Sequence, residues 1–443
     1  MKTLIYFTNR YPLLSAAVFF CLVLLLCSCV PREEGTVNID ELFPERPQEM
    51  QTLKLVTITG TGIQALYEVA DRFSQAYPSF NVEISAITNE SNFTAFLASK
   101  FAGGDAPDII IYHSGTYVGY YARGGHLLDL SGAGFEDRFM PGTESYCRYD
   151  GRLYALPLDI GLSGVFVQMS VLWRAGIRQL PKTLDEFIGA CGQLRRAGIE
   201  YPVVIAAADD SGAAAFNFQY LYQNIYQNDR NLYEHMLKGE RHWTDPPFAE
   251  MYRDYDRIRV YANPDAVRVG IMEAVKRFAD GEAAFYFGGT SQIADIRRLK
   301  PDIDMLLIPP PLGKDESWEI IPQGVNLVVS ASSATRYPEA VTAFLQELCS
   351  PEGADIYAQA LSSLSPVIGS MARYDKCVDG QAEALAAMPG KTIDFMSREW
   401  LPDFKKIFKR LNQQWFLGRE AEDLLEELET YHQQLIRDFG AGL

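Results

Sequence analysis

Apolar positions between residues 54 and 112 follow a strand period and a helix period in turn. In chain order they predict a strand over 54–59, a helix over 63–77, a strand over 81–85, a helix over 93–101 and a strand over 109–112. The last strand is apolar throughout, as a strand buried on both faces requires. Strands that alternate with helices predict a mostly parallel sheet covered by helices on both faces, so the fold class is α/β.

The same mixture continues to the end of the chain. Further predicted elements are helices over 183–194, 251–260, 266–278, 338–348 and 420–439, and strands over 203–207, 283–287 and 325–329. Thr183 is the expected N-cap of its helix, and Glu186 completes a capping box. The last helix carries an apolar stripe that we expect to pack on the folded body; the stripe consists of Leu424, Leu425, Leu428, Tyr431 and Leu435.

The amino terminus has the pattern of an export signal. Lys2 and Arg10 precede an apolar run over about 13–26, which is too short for a comfortable spanning helix. The run ends in Leu26-Cys27-Ser28-Cys29, which resembles the lipobox of bacterial lipoproteins. We therefore expect a signal peptide over 1–28, lipid on Cys29 and a flexible tether over 29–50. An uncleaved membrane anchor and a plain soluble secreted product are the alternatives.

Composition narrows the class of protein further. About 415 residues remain after cleavage, which suffices for two domains. The formal net charge is −17, and loss of Lys2 and Arg10 makes it −19. This acidic balance argues against nucleic acid and against adhesion to anionic lipid through basic patches. No repeat is visible.

The cysteines do not predict a disulfide framework. Cleavage before Cys29 leaves one lipidated cysteine and four others that are widely spaced, namely Cys147, Cys191, Cys349 and Cys377. Buried thiols are the simplest interpretation, and the sequence alone pairs none of them in a disulfide.

One segment matches the dinucleotide-binding fingerprint. Gly60-Thr61-Gly62-Ile63-Gln64-Ala65 fits G-x-G-x-x-A between a strand and a helix, and Glu83 follows about 20 residues later. Export of the chain argues against a nicotinamide cofactor, so we expect a tight strand-to-helix turn and no cofactor. Amide groups at such a helix start can still bind ligand hydroxyls or anions.

Other catalytic chemistry is sparse. The histidines show no HExxH spacing, so no metal site is expected, and GxSxG and P-loop motifs are absent from the sequence. The paired carboxylates of a glycosidase meet only in space, and no pair is nominated by the sequence.

Several blocks in a fixed order carry a resemblance to a known family. The blocks are FSQAYP (73–78) with VE (82–83), AGGDAPDI (102–109), YARGGHLLDL (121–130), GRLYALP (151–157), AGI (175–177) with PKTLDEF (181–187), FADGEAA (278–284) and PEA (338–340). Behind a lipobox, this order resembles a family 1 extracellular solute-binding protein, the sugar-binding class that serves ABC importers.

The resemblance implies a periplasmic-binding-protein-like fold, with two α/β lobes, a three-segment hinge and a ligand cleft between the lobes. We expect crossings near 158–162, 286–289 and 325–330. Lobe 1 would comprise 51–158 plus 288–328, and lobe 2 would comprise 163–286 plus 330–443.

Carry-over from the family nominates ligand contacts on both lobes. The candidates are Thr59, Gly60, Thr61, Gly62, Tyr112, His113, Thr116, Asp159, Phe216, Trp243, Gly289 and Thr290. Thr290 stands where relatives often carry tryptophan, and Val167-Gln168 stands where they usually carry Tyr-Asn. Aromatic rings suit sugars because a pyranose face covers the ring while its hydroxyls meet polar partners at the rim.

The sequence therefore predicts a monomeric, non-enzymatic, lipid-anchored binding subunit of an ABC importer on the outer face of a bacterial membrane. It would bind a mono- or oligosaccharide and deliver it to a membrane permease. Three alternatives stay open: the same fold with a polyamine, peptide or anion, a surface-anchored glycoside hydrolase, and a sensor that presents sugar to a membrane kinase.

Overall fold

The computed structural model describes residues 50–88, 90–314, 320–378 and 404–439, and residues from Met50 onward form one unit. The predicted signal peptide, Cys29 and nearly all of the tether lie outside the described residues, so those expectations stay predictions. Within the described ranges, no helix is long and apolar enough to cross a bilayer.

The strands, in chain order, are β1 (Gln51–Thr57), β2 (Phe80–Ala86), β3 (Ile109–His113), β4 (Arg148–Tyr149), β5 (Arg152–Leu153), β6 (Leu156–Pro157), β7 (Ile160–Gln168), β8 (Val203–Val204), β9 (Phe285–Gly289), β10 (Met305–Ile308), β11 (Ile321–Val325) and β12 (Leu327–Ala331). Most strands predicted from the sequence are present within a few residues of their expected bounds.

The α-helices are α1 (Ile63–Ala76), α2 (Glu90–Gly103), α3 (Thr116–Arg123), α4 (Met169–Arg174), α5 (Leu184–Arg196), α6 (Asp210–Tyr220), α7 (Leu232–Leu237), α8 (Pro246–Arg259), α9 (Ile271–Asp280), α10 (Ile293–Leu299), α11 (Pro338–Leu348), α12 (Pro351–Leu361), α13 (Phe404–Phe416) and α14 (Ala421–Phe439). A π-helix, Leu221–Tyr226, continues α6. The predicted capping box of α5 is confirmed, because Thr183 and Glu186 bond reciprocally across its first turn.

The first lobe is built on a sheet with the order β2-β1-β3-β12-β6. β1 pairs in parallel with β2 and β3, whereas β12 runs antiparallel to its neighbours β3 and β6. Helices α1, α11 and α12 pack together on this lobe. The predicted strand–helix alternation with a mostly parallel sheet therefore holds for the amino-terminal part of the lobe.

The second lobe is built on a sheet with the order β10-β7-β9-β8, and β11 pairs with β7 as well. Both faces of β7 are buried: Val165 and Val167 face one core, while Leu162 and Phe166 face the other. Helices α13 and α14 pack on this lobe through contacts with α6 and α8.

The division into lobes predicted from the sequence needs correction. β10 and β11 pair with β7, so most of residues 288–328 belongs to lobe 2. β12, α11 and α12 complete lobe 1, so residues 330–443 are divided between the lobes. A strand buried on both faces is equally apolar in either sheet, and its pattern therefore does not reveal which sheet it joins.

Two of the three expected crossings are present. The chain passes between the lobes at Leu158–Asp159, and again at Asn326 between β11 and β12. The expected crossing at 286–289 is wrong, because that segment lies inside β9 and pairs with β7 and β8. The third crossing follows α12, within residues 362–374.

The third crossing contacts both lobes in turn. Leu364 bridges Ile160 at the start of β7, and Val367 then bridges Phe139 of the first lobe. Farther along, Arg297 of α10 holds Asp375 through two bonds of 2.6 and 2.7 Å. The segment therefore ties the first lobe to the second beside the other two crossings.

Candidate functional site

The strand ends of both lobes meet at the crossings. β1 and β3 end at Thr57 and His113, and β12 begins at Leu327; on the other lobe, β9 ends at Gly289 and β7 begins at Ile160. Ligands of open α/β sheets bind in the crevice outside the carboxyl ends of the strands. The crevice between these ends is therefore the candidate binding site.

The turn after β1 lies at the first-lobe edge of the crevice. Gly60 and Thr61 are exposed, and the Thr59 hydroxyl accepts the Thr61 N–H at 3.1 Å. Gly62 has φ 83°, and a Cβ there would lie 3.2 Å from the Tyr357 ring. This left-handed conformation and the close ring explain the glycine. The turn has the predicted form, and its contact with a ligand stays a prediction.

The loop after β3 forms a second part of this edge. His113 is half-buried at the end of β3, and Thr116 begins α3. Between them, Ser114 ties the loop to the crossing at Asn326: its N–H donates to the Asn326 carbonyl at 3.0 Å, and its hydroxyl donates to the carbonyl of Val325. His113 and Thr116 therefore flank a loop that is attached to the hinge.

Tyr112 is a core residue, which corrects its assignment as a ligand contact. Its side chain is 2 % exposed and lies inside the first lobe. The Tyr112 hydroxyl bonds the Ser330 hydroxyl at 2.9 Å, and its ring packs edge-on against Tyr121. Burial raises the pKa of Tyr112 far above its usual range, because the phenolate would be desolvated. The hydroxyl serves the join between β3 and β12.

Asp159 lies at the first crossing, where the sequence placed it. Its side chain is 3 % exposed, and Oδ1 accepts the Leu327 N–H at 2.6 Å. Burial raises the pKa of Asp159 to about 7, and hydrogen bonds from Leu327 and Asn326 oppose that rise only partly. This carboxyl therefore joins two crossing segments at the bottom of the crevice.

The second-lobe edge is formed by the ends of β7 and β9. The Thr290 hydroxyl accepts the Leu162 N–H at 3.2 Å, and the Gly289 N–H donates to Gln292 at 2.8 Å. Thr290 is buried, so its hydroxyl holds the strand ends together in this structure. Ser163, half-buried beside them, donates to the Gly288 carbonyl at 3.2 Å.

Phe216 and Trp243 are core residues of the second lobe, and their assignment as stacking platforms needs correction. Phe216 is fully buried and stacks on Tyr255 at 4.0 Å. Trp243 is fully buried against Phe404 and Phe408. Both rings bind helices to the lobe instead of lining the crevice.

Several polar residues at the hinge and strand ends were not nominated by the sequence. Gln219 of α6 donates to the Gly164 and Gly288 carbonyls at 2.8 and 3.2 Å. Tyr357 and Ser363 carry buried hydroxyls close to the third crossing. The one available signal for Gln219 was its polarity, shared with Asn217, within the mostly apolar run 213–221.

A pocket of about 520 Å³ lies elsewhere on the first lobe. Its lining includes Tyr77, Arg138, Pro351 and Ile368. Tyr77 follows the last turn of α1, whereas the crevice lies at the first turn, about 20 Å away along the helix. This pocket is therefore separate from the crevice.

The described residues contain neither a candidate metal-ligand group nor a disulfide. Those residues contain no cluster of three His, Cys, Asp or Glu side chains that could hold an ion. Cys147, Cys191, Cys349 and Cys377 are buried free thiols. Burial raises the pKa of the Cys349 thiol to about 12, which keeps it protonated.

Two α/β lobes, joined at three crossings around a polar crevice, define the periplasmic-binding-protein-like class. Residues 59–355 match the sequence model of the bacterial extracellular solute-binding protein family. This match covers more than half of the chain, and the chain therefore belongs to that family. Membership places the protein outside the cytoplasm, in a family of substrate-binding proteins of ABC transporters.

Individual relatives are distant in sequence. The chain is 22% identical over 287 residues to an uncharacterised ABC transporter extracellular-binding protein of Pyrococcus horikoshii, covering 64% of this chain and 67% of the relative. It is 24% identical over 305 residues to the diacetylchitobiose-binding protein DasA of Streptomyces coelicolor, covering 66% and 67%. The structure of the solute-binding protein RafE in complex with raffinose has a TM-score of 0.73 at 19% identity, over 87% of this chain and 99% of RafE.

Proposed function

We propose that this protein binds a neutral carbohydrate in the crevice and delivers it to an ABC permease. The observation that carries this proposal is the chemistry of the facing strand ends. Residues 58–62, 113–116, 159–164, 287–292 and 326 contain hydroxyl and amide side chains, a single carboxyl, Asp159, and neither lysine nor arginine. A sugar presents many hydroxyls and no charge, and this set of groups suits it.

Charged ligands fit this crevice less well. A polyamine would need several carboxylates, and a single carboxyl lies among these strand ends. Arginine and lysine, which would favour an anion, are missing there. The uncapped start of α1 is a feature of this edge that could bind an anion, and phosphate tests it below. One relative is named for binding diacetylchitobiose, and RafE was solved in complex with raffinose, which also supports a carbohydrate ligand.

Transport would use motion at the crossings. Ligand contacts made by both edges are complete when the lobes close, so a bound sugar favours the closed form by its higher affinity for that form. The closed form would be presented to the permease. The protein itself would leave the sugar chemically unchanged and act as a monomer.

The first test is a thermal-shift screen of residues 50–443. The panel holds neutral mono- and oligosaccharides that include raffinose and diacetylchitobiose, with spermidine and phosphate as charged ligands. A sugar at 100 times its Kd adds about 2.7 kcal/mol to the free energy of unfolding. That addition should raise the melting temperature by about 5–11 °C for domains of this size.

One site variant and one control variant test whether the sugar binds in the crevice. Thr61→Ala at the crevice edge should weaken sugar affinity roughly 3–10-fold, by loss of one hydrogen bond. Thr430→Ala, at an exposed position of α14, should leave affinity unchanged, because this hydroxyl bonds its own helix at Glu426. A shift with spermidine or phosphate alone would exclude the carbohydrate assignment, and recovery of cleaved sugar would favour a glycoside hydrolase.

Lipid on Cys29 would hold the protein on the outer face of the membrane. The apolar run and the lipobox-like Leu26-Cys27-Ser28-Cys29 support this part of the proposal. In a bacterial host that processes lipoproteins, the wild-type chain should fractionate with membranes, and Cys29→Ser should abolish incorporation of labelled palmitate. Cys191→Ser is the matched control, since Cys191 is buried in the folded body. Palmitate incorporation into the Cys29→Ser chain would exclude this anchor site.

A further inference from the structure

The pocket on the first lobe, separate from the crevice, has the size of a small-molecule site. Its volume of about 520 Å³ lies within the range of roughly 300–1,000 Å³ that such sites occupy. Four segments form its walls: the end of α1, the loop at 137–138, the end of α11 with the start of α12, and residues 367–368 of the third crossing. Tyr77 and Ile368 in its lining are 42 % and 54 % exposed, so the pocket is open to solvent.

Part of the lining is apolar. Tyr77 stacks on Phe73 of the core at 5.0 Å, which holds the exposed ring in place. Pro351 and Ile368 add aliphatic surface to the same pocket. Exposed apolar side chains that are scattered singly need no explanation, whereas these three line one concavity. The pocket therefore suits a ligand with an apolar side chain.

Arg138 gives the pocket a positive charge. Among the described residues, its guanidinium makes a single hydrogen bond, from Nη1 to the Gln346 carbonyl at the long distance of 3.5 Å, and pairs with no carboxylate. It also lies over the Phe135 ring at 5.5 Å. A guanidinium has five N–H donors in a fork that fits a carboxylate, so most of these donors remain available to a ligand.

Two carboxylates also line the pocket. Glu347 is paired with Arg72 of α1. Asp137 is exposed, and its carboxylate has neither an ion pair nor a hydrogen bond within the part of the chain that the structure describes. One charge of each sign, on the adjacent residues Asp137 and Arg138, is therefore left without a protein partner.

We propose that this pocket binds a free α-amino acid with an apolar side chain. The Arg138 fork takes the α-carboxylate, Asp137 takes the α-ammonium, and the side chain lies along Tyr77, Pro351 and Ile368. A zwitterion fits because the two unpaired charges cancel, whereas Asp137 repels an anion and Arg138 repels a cation. This site is independent of the ligand in the crevice.

The bound amino acid also contacts the hinge. Val367 bridges Phe139 of the first lobe, and the Ile368 N–H donates to the Arg138 carbonyl at 2.8 Å. The pocket thus lies where the third crossing meets the first lobe. An amino acid bound there adds contacts between that lobe and a segment that leads to the second lobe.

Titration calorimetry with L-leucine and L-phenylalanine tests this site. N-acetyl-L-leucine lacks the ammonium and L-leucinamide lacks the carboxylate, so each removes one of the two charged contacts and should bind about tenfold more weakly than leucine, or less. Thr61→Ala, which weakens sugar binding at the crevice, should not weaken leucine binding.

Three variants test the assigned charges. Arg138→Gln should weaken leucine affinity by about tenfold or more, because it removes a charge-assisted contact of two bonds. Asp137→Asn should weaken it by about threefold, because Asp137 is exposed. Asn tolerates the left-handed backbone of residue 137, where φ is 60°, so this variant should fold normally. Arg123→Gln, at an exposed position of α3, makes the same change of charge and should leave affinity unchanged.

Absence of leucine and phenylalanine binding at millimolar concentrations would overturn the inference. Equal binding of L-leucine, N-acetyl-L-leucine and L-leucinamide would also overturn it, because the two charges would then not be recognised. Weaker leucine binding in Thr61→Ala, with wild-type affinity in Asp137→Asn and Arg138→Gln, would place the amino acid in the crevice instead. If a lower melting temperature shows that Arg138→Gln fails to fold, Asp137→Asn decides the outcome. Failure of the sugar screen would leave this test unaffected.

Discussion

Replacement of Trp243 by alanine should lower the free energy of unfolding by about 3–5 kcal/mol, the range for truncation of a large buried ring. Trp243 is fully buried, stacks on Phe404 at 5.1 Å and packs against Phe248 at 4.7 Å. Its backbone N–H donates to Glu429 of α14 at 2.8 Å. Loss of the ring would therefore leave a cavity between the second lobe and its last two helices.

Urea denaturation of residues 50–443 measures this effect, and Trp173→Ala provides the control. Trp173 is 48 % exposed, so its truncation should change the unfolding free energy by about 0.5 kcal/mol or less. Wild-type stability in Trp243→Ala together with lost sugar affinity would contradict the core role. That result would support the original assignment of Trp243 as a ligand contact.

The second large effect concerns pH. Asp159 has a pKa of about 7 in the folded protein, chiefly because it is buried, against about 3.9 in an unfolded chain. The folded protein therefore binds this proton more tightly, and ionisation of Asp159 opposes folding. Its contribution to stability should fall as pH rises from about 4 to about 7, by up to roughly 4 kcal/mol in total.

The side chain in Asp159→Asn cannot ionise, so this variant should not lose stability between pH 4 and pH 7 through residue 159. Its unfolding free energy, relative to wild type, should rise by up to about 4 kcal/mol between pH 4 and pH 8, as measured by urea denaturation across that range. A difference that stays constant with pH would contradict the raised pKa. The amide also keeps an oxygen for the Leu327 N–H, which limits other damage.

Asp265→Asn provides a control of opposite sign. Hydrogen bonds from Arg277 and Asn263 lower the pKa of Asp265 to about 2. Its stabilising contribution is present above about pH 4 and is lost as pH falls towards 2. Asp265→Asn should therefore be less stable than wild type at neutral pH, and this difference should shrink in acid.

Local signals predicted the elements well. α1 and α11 have nearly the predicted bounds, and the α5 capping box forms because its partners are three residues apart. α9 begins at Ile271 instead of residue 266, because Asp209, from a distant segment, accepts the Ile271 N–H at 2.6 Å. Such a tertiary contact has no local signature in the sequence.

The site was predictable to a smaller extent. The turn after β1 and Asp159 could be placed at the crevice from the sequence, because the pattern of elements locates strand ends and crossings. Tyr112 and Trp243 were nominated as aromatic residues, yet a ring that could stack on a sugar serves a core equally well. Gln219 became a candidate only when α6 packed beside the strand ends and its amide met the Gly164 and Gly288 carbonyls.

The late position of β12 in the sequence affects the order in which the two lobes can fold. This strand fills the place between β3 and β6, and its Ser330 is 218 positions from its partner Tyr112. A ribosome that makes the chain from its amino terminus must finish the whole sheet of the second lobe, β7 to β11, before β12 exists. Until then β3 has an unpaired apolar edge, which is open to aggregation and to helper proteins that hold incomplete chains. The sheet of the first lobe, although begun first, should therefore be completed after the sheet of the second lobe, and its slow step should be the pairing of β12 with β3.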